Sequence, residues 1–146
     1  MDIRSTDLQK FSQNLNAAAR EIDAEVERAI KEATRPLIAA ARAEALRTLP
    51  SRGGLSRKVA ASQFSSGAVR TSGGVGYRVS ARNKYNISSI DKGRVRHPVF
   101  GNRKVWARQG VNPGWFSEPA KAAEPRVNRA IRAAMERTVK RVERGL

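Results

Sequence analysis

The sequence contains no cysteine and a single histidine, His97. The first absence removes disulfides, thiolate metal ligands and cysteine nucleophiles together. It also suits a reducing compartment. The second excludes a multi-histidine metal centre, and His97 reads as a structural or exposed side chain rather than an acid–base catalyst. Acids are nearly missing from the middle of the chain. Residues 51–117 hold thirteen basic side chains and one acid, Asp91, so paired carboxylates for acid–base work are not available there. Aromatics make up only 5%, which leaves alanine and aliphatic side chains to build most of the core. No apolar run approaches the length of a membrane span, and the opening MDIRSTDLQKF lacks the apolar stretch of a signal peptide. Gly73-Gly74-Val75-Gly76 has no following Gly-Lys-Ser/Thr and opens no helix pattern, so it reads as a turn between strands and not as a phosphate loop. The expectation is a non-enzymatic protein with no cofactor and no metal.

What is present is positive charge. The formal net charge is +16 over 146 residues. Its distribution is uneven. Residues 1–50 balance eight basic groups against eight acidic ones, residues 51–117 carry +12, and residues 118–146 carry +4. Such a central field attracts nucleic acid or an acidic protein surface, beyond any contribution to solubility. Arginine outnumbers lysine 21 to 8, and arginine makes planar, two-pronged contacts suited to interfaces.

The length fits one domain, residues 1–146, in three parts: a helical arm over 1–50, a basic β region over 51–116, and a C-terminal helix over 117–146. In the arm, Leu8, Phe11, Leu15, Ala18, Ile22, Val26, Ala29 or Ile30, Ala33, Leu37, Ala41 and Ala45 recur at three- or four-residue spacing, one apolar stripe on a helix. Ser5 or Asp7 can cap its start. Pro36 either kinks this helix or sits in the first turn of a second one capped by Thr34. Val59–Phe64, Ala68–Thr71 and Val75–Val79 read as strands of an antiparallel meander, with Gly67 and Gly73-Gly74 at the turns. Residues 81–93 form a loop with a short helix or strand. Arg94–Val99 and Lys104–Gln109 read as two strands, with Pro98 at a sheet edge or strand end. Ser117 can cap a last helix carrying Glu118 and Pro119 in its first turn, with an inward face of Ala120, Ala123, Val127, Ile131, Ala134, Met135, Thr138 and Val142. Pro125 bends or restarts it. The fold class is α+β: a long N-terminal helix, a small antiparallel sheet, and a C-terminal helix packed on the sheet.

Residues His97 to Phe116 stand out. They hold both tryptophans and two of the four phenylalanines. Arg94, Arg96, Arg103, Lys104 and Arg108 precede or interleave with them, and these five are the candidate partner- or DNA-facing residues. Trp106, Trp115 and Phe116 read as a core junction where sheet meets last helix, since a core poor in large side chains needs them. The other reading of alternating aromatic and basic groups is a surface that stacks bases and holds phosphates.

The order of elements resembles the tail-component family of long-tailed bacteriophages, whose members complete the tail or join it to the head. The stretches that carry the likeness are Leu49-Pro50 with Gly54-Leu55, Ile90-Asp91-Lys92-Gly93, and Pro113-Gly114-Trp115-Phe116 running into Ser117-Glu118-Pro119-Ala120. Two departures are an acid set inside a basic stretch, Asp91, and a glycine inserted between the junction proline and its aromatic. The resemblance implies a ring subunit of the virion neck or tail, assembled in the cytoplasm of a bacterial host. Its partners would be copies of itself, the head connector or a head-closure protein, and the tail tube or tail terminator, with DNA in the channel and no membrane. Charge alone suggests the alternative of a sequence-independent nucleic-acid-binding protein, and more remotely a ribosome-associated one.

The arm adds its own argument for assembly. Residues 7–48 as one helix would span roughly 63 Å at about 1.5 Å per residue. A compact chain of this length is only about 40 Å across. The stripe therefore overhangs or folds back at Pro36. An overhang would expose Leu8, Phe11, Leu15 and Ile22, the expected oligomer interface.

Overall fold

The computed structural model describes residues 5–145, and side chains from residue 9 onward. Its first element is one helix, α1, Ser5–Thr48. Pro36 lies inside it and does not end it. Pro36 is on the exposed face, as is Glu32, whose carbonyl loses its helical partner to the proline and meets water instead. Thr34 caps no second helix. It is fully buried, donates back to the Ile30 carbonyl at 2.8 Å, and shares a 2.8 Å hydrogen bond with Ser66 Oγ.

A 3-10 turn at Arg52–Gly54 leads to a short helix, α2, Leu55–Ala60. The sequence reading made Val59–Phe64 a strand. Its first half is helical because Ser56, Val59 and Ala60, at helical spacing, are all buried. Two antiparallel hairpins follow, each a separate two-stranded sheet. The first pairs β1, Gln63–Thr71, with β2, Gly74–Arg82. Between them comes α3, Ile87–Asp91, capped by Asn86, whose side chain accepts from Ser89 N. The second hairpin pairs β3, Arg94–Val99, with β4, Asn102–Gly110. The chain closes with α4, Ser117–Gly145, unbroken across Pro125, which is exposed in the same way as Pro36.

The class read from the sequence, α+β with long terminal helices, is the class observed. The β residues are divided into two ribbons, and α4 takes α1 as its main neighbour. The reason is the matching stripes. Val26 and Ile30 of α1 meet Val127, Ile131 and Ala134 of α4 in one buried cluster, with Ile22, Val75 and Tyr77 packed around it. Each such aliphatic side chain contributes roughly 1.5–3 kcal/mol when fully buried. Met135, expected inward, is 37% exposed at the edge of this seam. A second cluster joins Ala41 and Ala45 of α1, and Leu49 just beyond its end, to Val59, Ile90 and Trp115. The small side chains on α1 there let the ring of Trp115 approach the helix.

The first hairpin is tied to α1. Arg70 reaches Asp23 at 2.5 Å, and Glu27 accepts the Ala68 N–H at 2.8 Å. Gly67 is inside β1 opposite Arg78 and forms no turn. A Cβ on it would come within 3.0 Å of the Glu27 carboxylate, so glycine is what lets the strand lie this close. The Ala68 N–H holds the Glu27 carboxyl below its ordinary range; desolvation opposes it, and the nearby Lys31 lowers it further. A carboxyl lowered on folding stabilises fully above its unfolded pKa of about 4.3, and that contribution disappears as pH falls through the lower folded value. Acidification below about pH 4.3 should therefore lower the protection of the Ala68 amide, measured against its intrinsic exchange rate at each pH. In Glu27→Gln that protection should change with pH no more than it does at other exposed amides. An unchanged pH profile in the variant would show that Glu27 does not hold the strand.

Candidate partner surfaces

The second hairpin is built from a two-residue turn. Val99 pairs with Asn102, so Phe100 and Gly101 form the tip, with φ of 50° and 76°. Two positive φ values match the twist that hairpin turns favour. A phenylalanine rarely adopts one. Phe100 is also fully exposed, at 104%. The sequence places it in the link between the two strands, Phe100-Gly101-Asn102-Arg103. Its placement before a glycine at the centre of a hairpin was the available signal.

Strand alternation sorts the candidate residues. Arg96 pairs with Arg108 and Pro98 with Trp106, so Arg94, Arg96, Trp106 and Arg108 share one face of the ribbon. The register shifts between Pro98 and Val99, so the alternation is broken over residues 103–105 and does not fix the face of Arg103 or Lys104. All five cations are exposed. The opposite face turns Val95 toward the cluster around Trp115. His97 is exposed, with its Nδ1 3.3 Å from the Pro98 carbonyl.

Trp106 is not part of the core. It is 47% exposed, whereas Trp115 is completely buried. The cause is parity: Trp106 lies two residues from Arg108 and opposite Pro98, on the outer side of the strand. Its Nε1 donates to the Arg103 carbonyl at 2.7 Å, and the Arg96 guanidinium stands 5.5 Å from its ring centroid. Trp115 and Phe116 do form the expected junction, with Phe64 as a third ring. Phe64 meets Trp115 edge-on at 6.4 Å and stacks on Phe116 at 6.2 Å.

Asp91, the only acid of the central region, is used internally. Its Oδ1 accepts from the backbone N–H of Phe116 at 2.8 Å and of Ser117 at 3.1 Å, at the start of α4. A carboxylate there satisfies free donors and complements the helix dipole. Ser117 is thus the first helical residue and a recipient of a cap, not its source. With Asp91 occupied, no acid from residues 92–117 faces the ribbon.

A second basic feature is an open groove of about 600 Å³ between α2 and the end of β2. Lys58, Arg82, Lys84 and Tyr85 line it, with Lys58 and Lys84 at 5.8 Å and 5.3 Å from the Tyr85 ring centroid. Among the described residues, no group of three His, Asp or Glu could hold a metal ion, and no helix is long and apolar enough to cross a membrane.

The free end of α1 is the remaining surface. Ion pairs Arg141–Glu21 and Arg137–Glu25 set α4 antiparallel to α1. Exposed pairs of this kind add little stability, but they report the register. Continuing it brings Gly145 about level with Ala17, and α1 runs on past that point without α4 beside it. Phe11 and Leu15 are accordingly 55% and 48% exposed. Ile22, inside the register, is half-buried against the seam. The side chains of Ser5, Asp7 and Leu8 lie outside the described residues. No protein-family description matches the chain, and no curated protein or solved structure matches it.

Proposed function

We propose that this protein is a non-enzymatic structural subunit of the neck of a long-tailed phage virion, forming a ring that completes the tail and joins it to the head connector. Its partners in this reading are its own copies, a head-connector or head-closure protein, and the tail tube or terminator protein. The reading starts from the likeness of its element order and junction motifs to the tail-component family. One structural observation supports it most: α1 continues past the end of α4 with Phe11 and Leu15 exposed on its apolar stripe. Apolar side chains presented together on an unpaired helix end suit burial by a neighbouring subunit.

Replacing Phe11 and Leu15 with Ser should convert the ring or neck complex into soluble monomers with both hairpins intact, read by sedimentation velocity and negative-stain electron microscopy. An antibody to the protein should label the head–tail junction of virions. A wild-type protein that sediments as a monodisperse monomer at high concentration and binds no neck partner would sink the reading.

A further inference from the structure

We propose that the outer face of the β3–β4 ribbon is a nucleic-acid-binding site, which holds the sugar–phosphate backbone through Arg94, Arg96 and Arg108 and stacks an unpaired base on Trp106. The site is independent of the neck assignment and of the α1 arm.

Three observations carry it. The first is a like-charge pair left uncompensated. Arg96 and Arg108 are directly opposite across the two strands, an arrangement that destabilises a ribbon. Arg94 extends the same face. The nearest acid in sequence, Asp91, has its Oδ1 committed to the start of α4. Three cations on one side of a two-stranded ribbon suit an anionic ligand that tracks along it.

The second observation is the tryptophan among them. Trp106 is 47% exposed in the middle of that face. Its indole N–H is tied to the Arg103 carbonyl at 2.7 Å, which fixes the ring and leaves no donor for an acidic side chain. What the ring offers a ligand is its π surface. A carboxylate matches the arginines but offers no aromatic plane to the ring. A nucleic acid with unpaired bases supplies phosphates and aromatic planes together. The Arg96 guanidinium, 5.5 Å from the ring centroid, shows that the ring already accepts a planar cation at stacking range.

The third is the tip. Phe100 is fully exposed at a strained backbone position, φ 50°. It gives the ribbon a second aromatic surface beyond the basic face, where a strand leaving Trp106 toward the turn would meet it.

The test is fluorescence anisotropy of a labelled 20-nucleotide oligothymidylate and of a duplex of equal length, titrated with the full chain at several salt concentrations. The single strand should bind more tightly than the duplex. Trp106→Ala should weaken single-strand binding roughly tenfold, and Trp106→Phe, which keeps a stacking ring, should restore most of it. Arg96→Ala with Arg108→Ala should reduce the slope of log affinity against log salt by about 1.4, since each phosphate contact to a single strand contributes roughly 0.7. All three changes are at exposed positions, so melting temperatures near wild type confirm that the fold persists. The proposal is overturned if no oligonucleotide binds, if Trp106→Ala binds as wild type, or if polyglutamate of equal charge displaces the oligonucleotide as well as unlabelled oligothymidylate does. An equal preference for duplex with no effect of Trp106 would also overturn it, since the face would then recognise charge alone. Failure in any of these ways leaves ring formation through α1 untouched.

Discussion

Trp115→Ala should lower stability by roughly 3–5 kcal/mol, while Trp106→Ala should change it by less than about 1 kcal/mol. The two residues have the same side chain and lie nine positions apart, so the contrast isolates environment. Trp115 is completely buried among Ala41, Ala45, Leu49, Val59 and Ile90. Removing it opens a cavity where α1, α2, α3 and the start of α4 converge, and the Phe64 and Phe116 rings lose their edge and tilted contacts at 6.4 and 5.7 Å. For a chain of this length that loss corresponds to a fall in Tm on the order of 10 °C. Its Nε1 has no hydrogen-bond partner among the described residues, which sets up a graded series. Trp115→Phe gives up ring area but also removes a buried unpaired donor, so it should be less harmful than Ala by well over 1 kcal/mol. Trp106 loses only the hydrogen bond to Arg103 and the Arg96 contact, both at the surface. Thermal melts of the three variants decide the matter. Equal destabilisation by Trp106→Ala and Trp115→Ala would refute the assignment of one to the core and the other to the ribbon face.

Gly93→Ala should destabilise by at least about 2 kcal/mol, because two separate penalties add. Gly93 has φ of 81°, and a Cβ there would be 2.9 Å from the Val111 carbonyl oxygen, a backbone atom that cannot swing aside. The position is also a crossing point. Gly93 N donates to the Ile90 carbonyl at 2.9 Å, and its own carbonyl accepts from Val111 N at 3.0 Å. Next to it, Gly114 N donates to the Asp91 carbonyl at 2.8 Å. Shifting the strand end would therefore disturb the Asp91 carboxylate at the start of α4 and the seat of Trp115. Gly101→Ala is the matched control. Its φ is 76°, but nothing lies within 4 Å of the added atom. It should lose only the conformational part, about 1 kcal/mol. Denaturant unfolding of both variants measures the difference, and equal midpoints would mean that the contact with Val111 relaxes freely.

Much of the architecture was legible along the chain. The two long helices follow from apolar residues at helical spacing, and the second hairpin follows from two short strand patterns around a turn. The segregation of charge was legible as well, with balanced arms flanking a basic centre. Other features could be read only with the partner element in view. LSRKVA fits a strand or a helix until Ser56, Val59 and Ala60 find buried neighbours on one side. Gly67 looks like a turn residue until Glu27 occupies the space of its missing Cβ. Trp106 reads as core because large side chains are scarce, although its position two residues from Arg108 already puts it on the charged side of a strand.

What the sequence determined by itself was which residues share a face, because helical and strand periods are local properties of the backbone. It determined in the same way that no thiol chemistry is available and that the central charge has almost no internal counterweight. What only the tertiary structure decided was what each face meets. The stripe of α4 could have covered a sheet, but it matches α1, and the β residues separate into two ribbons. The match ends near Ala17, so Phe11 and Leu15 stay exposed while Val26 and Ile30 are buried on the same stripe. Burial is a relation between elements distant in the chain, and it is set by the lengths and register of both partners. No local pattern contains that information.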